Sequence, residues 1–188
     1  MRKCGPFVVL ALLLTGGATL RTQAFASAAA ARGLVSLLDR LRLDAIAAVD
    51  PAAPGAFVAA LYIPGAQLLV VNALQPSVEG VMQHLTMHQY REVYLDLQGT
   101  PTPTNKFFVQ DAGADGILSV LPGSGEVDVL YESGVRQTLF NGDLKAQHLT
   151  PTEYDARLAA ADARYARLLM LLTEAVREMR QQTTESGH

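Results

Sequence analysis

Apolar and polar positions alternate along this chain with two different periods, and the changes of period mark its elements. From Leu34, apolar residues recur at three- and four-residue steps (Leu34, Leu37, Leu38, Leu41, Ala45) with Asp39, Arg40 and Arg42 between them. That spacing predicts a one-sided helix of about three turns. Ser27 to Ala31 reads as a loose lead-in, and Ala45 to Val49 either prolongs the helix or opens a strand. The segment Asp50 to Gly55 (DPAAPG) holds two prolines and a glycine within six residues, so it has to turn. Ala56–Ile63 and Ala66–Ala73 are β-rich runs on either side of Pro64-Gly65. Proline presets φ and glycine accepts a positive φ, which suits the two central positions of a type II turn. These runs predict a hairpin, and because both parities are apolar, both of its faces are expected to be covered.

Pro76-Ser77-Val78-Glu79 opens an expected middle helix striped by Val78, Val81, Met82 and Leu85. Val93, Leu95 and Leu97 then alternate with polar neighbours as in a half-buried strand. Gly99 to Asn105 is an irregular connection. Lys106 to Gln110 is a short strand that runs into the turn-rich Asp111 to Gly116 (DAGADG), and Ile117 to Leu121 offers a further strand. Glu126–Glu132 and Val135–Phe140 form a second antiparallel hairpin around Ser133-Gly134.

The C-terminal helix is the best-specified element. Thr150-Pro151-Thr152-Glu153 combines a capping box with proline at the first helical position. Behind it Tyr154, Leu158, Ala161, Tyr165, Leu168, Leu172, Ala175 and Met179 follow alternating four- and three-residue steps to about Gln181. Arg164, Arg167, Arg177 and Arg180 are expected on its outer, basic side, a surface for a homodimer or a protein partner. The order of elements predicts an α+β fold. Its mainly antiparallel sheet is curled or closed into a small split-barrel-like β-core. An N-terminal helix, a middle helix and a long C-terminal amphipathic helix complete it.

Export changes the picture at the other end of the chain. Arg2 and Lys3, the apolar run Phe7 to Leu14 and the closing Ala24-Phe25-Ala26 have the basic–apolar–small order of a secretory signal peptide. The expected cut lies before Ser27. Residues 1–26 are then a removed leader, 27–182 a single α+β domain and 183–188 a flexible tail, in the periplasm or secreted. The apolar run is too short to span a membrane, which takes about 20 residues, so no integral segment is expected after cleavage. Cys4 is the only cysteine and lies ahead of that run, so cleavage leaves a thiol-free chain without disulfides. Losing Arg2, Lys3 and Arg21 deepens a net charge that is already −3, which disfavours nucleic acid as a partner.

Candidate chemistry is sparse. His84 and His88 stand one helical turn apart, a spacing zinc can use, with Glu92 or His148 as more distant ligands. Leu85 occupies the place of the zinc-protease glutamate, and the plainer reading is a solvated helix face. Asp111 and Asp115, with Gly116, match positions of a calcium loop. The third position is Gly113 and the twelfth is Pro122, so a tight turn is the plainer reading. Gly123-Ser124-Gly125 is not a nucleophile elbow, and Glu92 with Asp96 reads as a solvated strand face. No convergent catalytic set emerges, so the chain reads as a non-catalytic binding or interaction domain without a cofactor.

One resemblance sets an alternative beside that reading. Ala45-Ile46-Ala47-Ala48-Val49-Asp50-Pro51, followed by Gly55 to Leu61 and Leu68 to Val71, resembles the opening of the FMN-binding split β-barrel superfamily of pyridoxamine 5′-phosphate oxidase and its relatives. The resemblance spans about Asp44 to Gln110. It implies a split barrel and, beyond that, an FMN-binding protein and oxidoreductase, with Arg91 and Lys106 as the nearby candidates for phosphate contact. The implication is stronger for the barrel than for the flavin.

Overall fold

The computed structural model describes residues 25–74, 107–118, 126–132 and 137–185. Within them the elements are α1 (Ala26–Leu41), β1 (Ala45–Val49), β2 (Ala56–Ile63), β3 (Gln67–Leu74), β4 (Phe107–Ala112), β5 (Val129–Glu132), β6 (Thr138–Leu139) and α2 (Pro151–Glu185). The six strands form one curled antiparallel sheet in sequence order, β1-β2-β3-β4-β5-β6. The fold is therefore α+β, as the periodicity predicts. The middle helix from Pro76, the strand around Val93 and the candidates His84, His88, Arg91, Glu92 and Lys106 lie outside the described residues.

Parity along the strands sorts the core into two layers. Val58, Ala60, Tyr62, Leu68, Val70, Phe107, Val109 and Leu130 point to one face. There they meet Leu34, Leu37 and Leu38 of α1 and Tyr154, Leu158, Tyr165, Leu168, Leu169, Leu172 and Val176 of α2. The intervening Ala59, Leu61, Leu69, Val71, Ala73 and Phe108 form a second buried cluster on the opposite face. Both faces of the β2–β3 hairpin are thus out of water, which is why its sequence is apolar on both parities. Ala66 N–H donates to the Ile63 carbonyl at 3.0 Å across Pro64-Gly65, and Gly65 has a φ of 69°. The turn has the residues its geometry demands.

Three boundaries depart from the sequence reading, and one, the second along the chain, decides an alternative that it left open. First, Ser27 to Ala31 is no lead-in but the first turns of α1. Alanine is the best helix former, and the amides of Ala26 and Ser27 donate to Asp162 of α2 at 3.0 and 2.9 Å. A carboxylate distant in sequence replaces a local cap. Second, Ala45 opens β1 and does not extend the helix. Arg42 takes the left-handed conformation at the C-cap (φ 56°), and its N–H reaches the Asp39 and Leu38 carbonyls. Leu43 N–H donates back to Leu38 at 2.9 Å, so the helix is closed and reversed there. Third, Ile117 and Leu118 are not strand residues. Their amides serve side chains, as described below, and not a ladder. Fourth, α2 continues to Glu185, past the expected stop near Gln181 and into the expected tail, because the first helix breaker in the sequence after Pro151 is Gly187.

The start of α2 follows the expected box. Thr150 N–H donates to Glu153 Oε2 at 2.8 Å while Glu153 N–H donates to Thr150 Oγ1 at 3.3 Å, a reciprocal closure of two orphan amides. Glu153 is held below the usual carboxylate range, first by the Thr150 amide and then by its hydroxyl.

Arg42 carries a Cβ in a region of φ that favours glycine. Arg42→Gly is expected to raise stability by about 0.5–1 kcal/mol, measured as an upward shift of the urea midpoint with an unchanged slope.

Candidate functional site

Three polar clusters tie α2 to the rest of the molecule. At the first, the turn after β1 folds around Asp50. Ala52 N–H donates to Asp50 Oδ1 at 3.0 Å and Ala53 N–H to the Asp50 carbonyl at 3.2 Å. The Asp50 side chain is only 1% exposed and receives both guanidinium nitrogens of Arg167 at 2.8 Å. Asn72 Nδ2 of β3 adds a third donor at 3.0 Å and also reaches the Phe57 carbonyl. The Arg167 fork lowers the Asp50 pKa below the usual range against the opposing effect of burial. Arg164, one turn earlier, bridges to Glu132 of β5 at 3.0 Å and lies 4.1 Å over the Phe107 ring. Arg164 and Arg167 therefore face the sheet, not the outer side of α2. On a sheet-packed helix a long cationic side chain at the edge of the apolar stripe can bury its stem and carry its head to a carboxylate.

At the second cluster, the turn after β4 closes on its own acid. Asp111 is fully buried and accepts from the amides of Asp115 and Gly116 at 3.0 Å each and from the Tyr165 hydroxyl at 2.9 Å. Asp128, also buried, accepts from Ala112 N–H at 2.8 Å and Leu118 N–H at 2.6 Å. Burial pushes Asp111 up to about 6 and Asp128 up to about 7, the nearby charge of Asp111 adding to the shift at Asp128. Tyr165 is raised well above its ordinary value by burial and the same carboxylates. Asp115 is raised more modestly, by burial and then by Glu126. Asp111 thus organises the turn from inside, with Gly113, Ala114 and Gly116 all at positive φ around it. Asp111 and Asp115, the candidate calcium ligands, lie in one turn, yet the oxygens of Asp111 are taken by protein donors. Among the described residues no group of three or more His, Cys, Asp or Glu is arranged to hold a metal ion. His148 is an exposed residue of the turn before α2, with a φ of 54°.

The third cluster joins α1 to α2. Ser27 Oγ donates to Asp162 Oδ1 at 2.6 Å and accepts from Ile117 N–H at 3.0 Å.

Beside these closed clusters, among the described residues, an open groove of about 810 Å³ lies between β1 and the C-terminal half of α2. Ala47, Ala48 and Val49 line one wall, and Leu171, Ala175 and Met179 the other. Val49 is 58% exposed and Met179 39%, large apolar side chains that stand out among the described residues for reaching water. Glu174 and Glu178 stand on the rim. Among the described strands β1 pairs with β2 alone, so its outer edge is the end of the sheet. No described helix is long and apolar enough to cross a membrane.

Comparison with family models, curated proteins and solved structures yields no match to this chain. Neither Asp50 nor Arg167 stands out in the sequence, although Asp-Pro at a turn is a signal for an aspartate that holds its own backbone. Asp128, Asp162 and Tyr165 have partners distant in sequence, and no local pattern announces them.

Two expectations follow. Arg167→Met leaves Asp50 buried without its counter-charge and is expected to cost about 2–3 kcal/mol, below the full buried-pair penalty because the guanidinium is partly solvated; chemical denaturation measures it. For pH, an unfolded aspartate titrates near 3.9, whereas Asp111 and Asp128 titrate at about 6 and about 7 in the fold. The native state binds more protons in that window, so stability falls as pH rises through it, on the order of 2–4 kcal/mol between pH 5 and pH 8. Asp50, with its lowered value, acts oppositely and only at more acidic pH. Asp128→Asn is expected to flatten the slope in thermal melts across that range.

Proposed function

We propose that this chain is an exported, non-catalytic domain that binds an extended, basic segment of another protein in the groove between β1 and α2. One observation carries the reading. The apolar stripe of α2 runs on past the point where its own sheet covers it. Leu172 and Val176 are fully buried, whereas Met179, on the same stripe, opens onto the groove with Val49 of the edge strand. A segment laid along β1 would pair with the edge that no described strand covers, through main-chain hydrogen bonds, and place alternate side chains in the groove. Charge selects its composition. Arg167 on the groove wall is neutralised by Asp50, while Glu174 and Glu178 leave the rim acidic. Glu174 also meets Arg177, so Glu178 contributes more of the net field.

The leader-like order of residues 1–26 supports export, and the acidic balance of the chain speaks against nucleic acid. The non-catalytic part rests on the buried acids, whose oxygens serve backbone amides and a tyrosine hydroxyl rather than a cleft. A homodimer through α2 and an FMN-binding split barrel are the competing outcomes.

Calorimetric titration with two ten-residue peptides, alternating valine with lysine or valine with glutamate, tests the proposal. The lysine peptide is expected to bind and the glutamate peptide not, and Val49→Asp is expected to weaken binding at least about tenfold. Binding of neither peptide contradicts the reading. So does a native mass equal to twice the chain, or a stoichiometric flavin absorbance in the purified protein.

A further inference from the structure

The carboxylate that caps α1 from a distance meets the chain at the point where it is expected to be cut. Among the described residues, the Asp162 carboxylate accepts from Ala26 and Ser27 alone: two backbone amides and one hydroxyl, at 3.0, 2.9 and 2.6 Å. A single oxygen of serine, asparagine or aspartate is enough to cap a helix N-terminus. Here a full negative charge is brought from α2, with both oxygens engaged. A second observation fixes the geometry independently. Ser27 is completely buried, and its hydroxyl receives Ile117 N–H from the turn after β4. On that side Gly116 fits so closely that a Cβ there would stand 2.5 Å from Ala28 N and 2.8 Å from the Ser27 carbonyl carbon. The first residues of α1 are seated between α2 and this turn, too close to Gly116 to admit a side chain there.

We infer that Asp162 is the counter-ion of a new N-terminus: cleavage between Ala26 and Ser27 turns the Ser27 amide nitrogen into an ammonium, which the Asp162 carboxylate holds as an ion pair. The inference rests on the export reading. The chemistry is hydrolysis of one peptide bond, with water supplying the hydroxyl of the departing Ala26 carboxyl group and the proton on the Ser27 amine. A free ammonium at a helix N-terminus is opposed by the positive end of the helix dipole, so a start at Ser27 requires an anion in reach. Asp162 supplies it from the position where it already meets that nitrogen. A buried Ser27 is also closed to a protease in the folded state, so the cut precedes folding, and the fold then locks the new end in place.

The test uses protein recovered from the periplasm of an expressing bacterium. Its intact mass is expected to begin at Ser27. Periodate oxidises an N-terminal serine only when its amine and hydroxyl are both free. The native protein is therefore expected to react at least about tenfold more slowly than Asp162→Asn, because attack needs the seat to open. A start at Ser27 with equal rates in the two proteins overturns the inference while leaving export intact. A chain that keeps residues 1–26, or begins elsewhere, overturns both. Should Asp162→Asn fail to fold, a crystal structure of the processed protein decides. The Ser27 nitrogen within hydrogen-bond distance of Asp162 supports the ion pair, and a terminus that lies away from it refutes it.

Discussion

Asp50 is a carboxylate almost out of water, and Arg167 is what allows it to stay charged there. The penalty for removing such an anion from solvent is several kcal/mol unless donors of fitting geometry replace the water. Arg167 brings a planar fork, the arrangement that best matches a carboxylate. Around this pair the turn between β1 and β2 is set, the edge strand is positioned beside α2, and the groove takes its shape. The same logic repeats along α2 within less than two turns. Asp162 receives the start of α1, Arg164 reaches Glu132 of β5, and Tyr165 donates to the acid inside the turn after β4. The helix is therefore more than an apolar cover for the sheet. Its polar residues hold the places where the chain changes direction.

That arrangement explains why a sheet of this kind needs no disulfides. The hydrophobic layers on both faces supply the non-directional part of stability, but they do not define where irregular segments lie. Turns carry backbone amides that must be satisfied. Here buried aspartates do so: Asp50 for Ala52, Asp111 for Asp115 and Gly116, Asp128 for Ala112 and Leu118. Asp111, a candidate calcium ligand in the sequence, is thus part of the internal scaffolding of its loop, as Asp50 and Asp128 are of theirs. Their raised or lowered proton affinity is a consequence of that role.

Periodicity gives the regular elements well. The Pro64-Gly65 hairpin, the capped start of α2 and its apolar stripe through Leu172 follow from residue type and spacing, because the forces that set them act over a few residues. What is not legible depends on partners far apart in the chain. The helix from Ala26 is hidden because its cap comes from Asp162. The inward turn of Arg164 and Arg167 is hidden because only the sheet's acids, Glu132 and Asp50, reveal which way a cation at the stripe's margin will point. The groove is legible only in hindsight: Ala175 and Met179 continue the stripe, and nothing in the sequence says that the sheet ends before they do.

Native-state hydrogen exchange, followed residue by residue, tests most directly the claim that α2 clamps the turns as firmly as it packs the core. The amides of Ala52, Gly116 and Ile117 bind side chains in loops, which ordinarily open at little cost. The account has them exchange only with global unfolding, at the same free energy as the central amides of β2 and β3. Exchange of these loop amides through cheap local openings, while the strands remain protected, would contradict it.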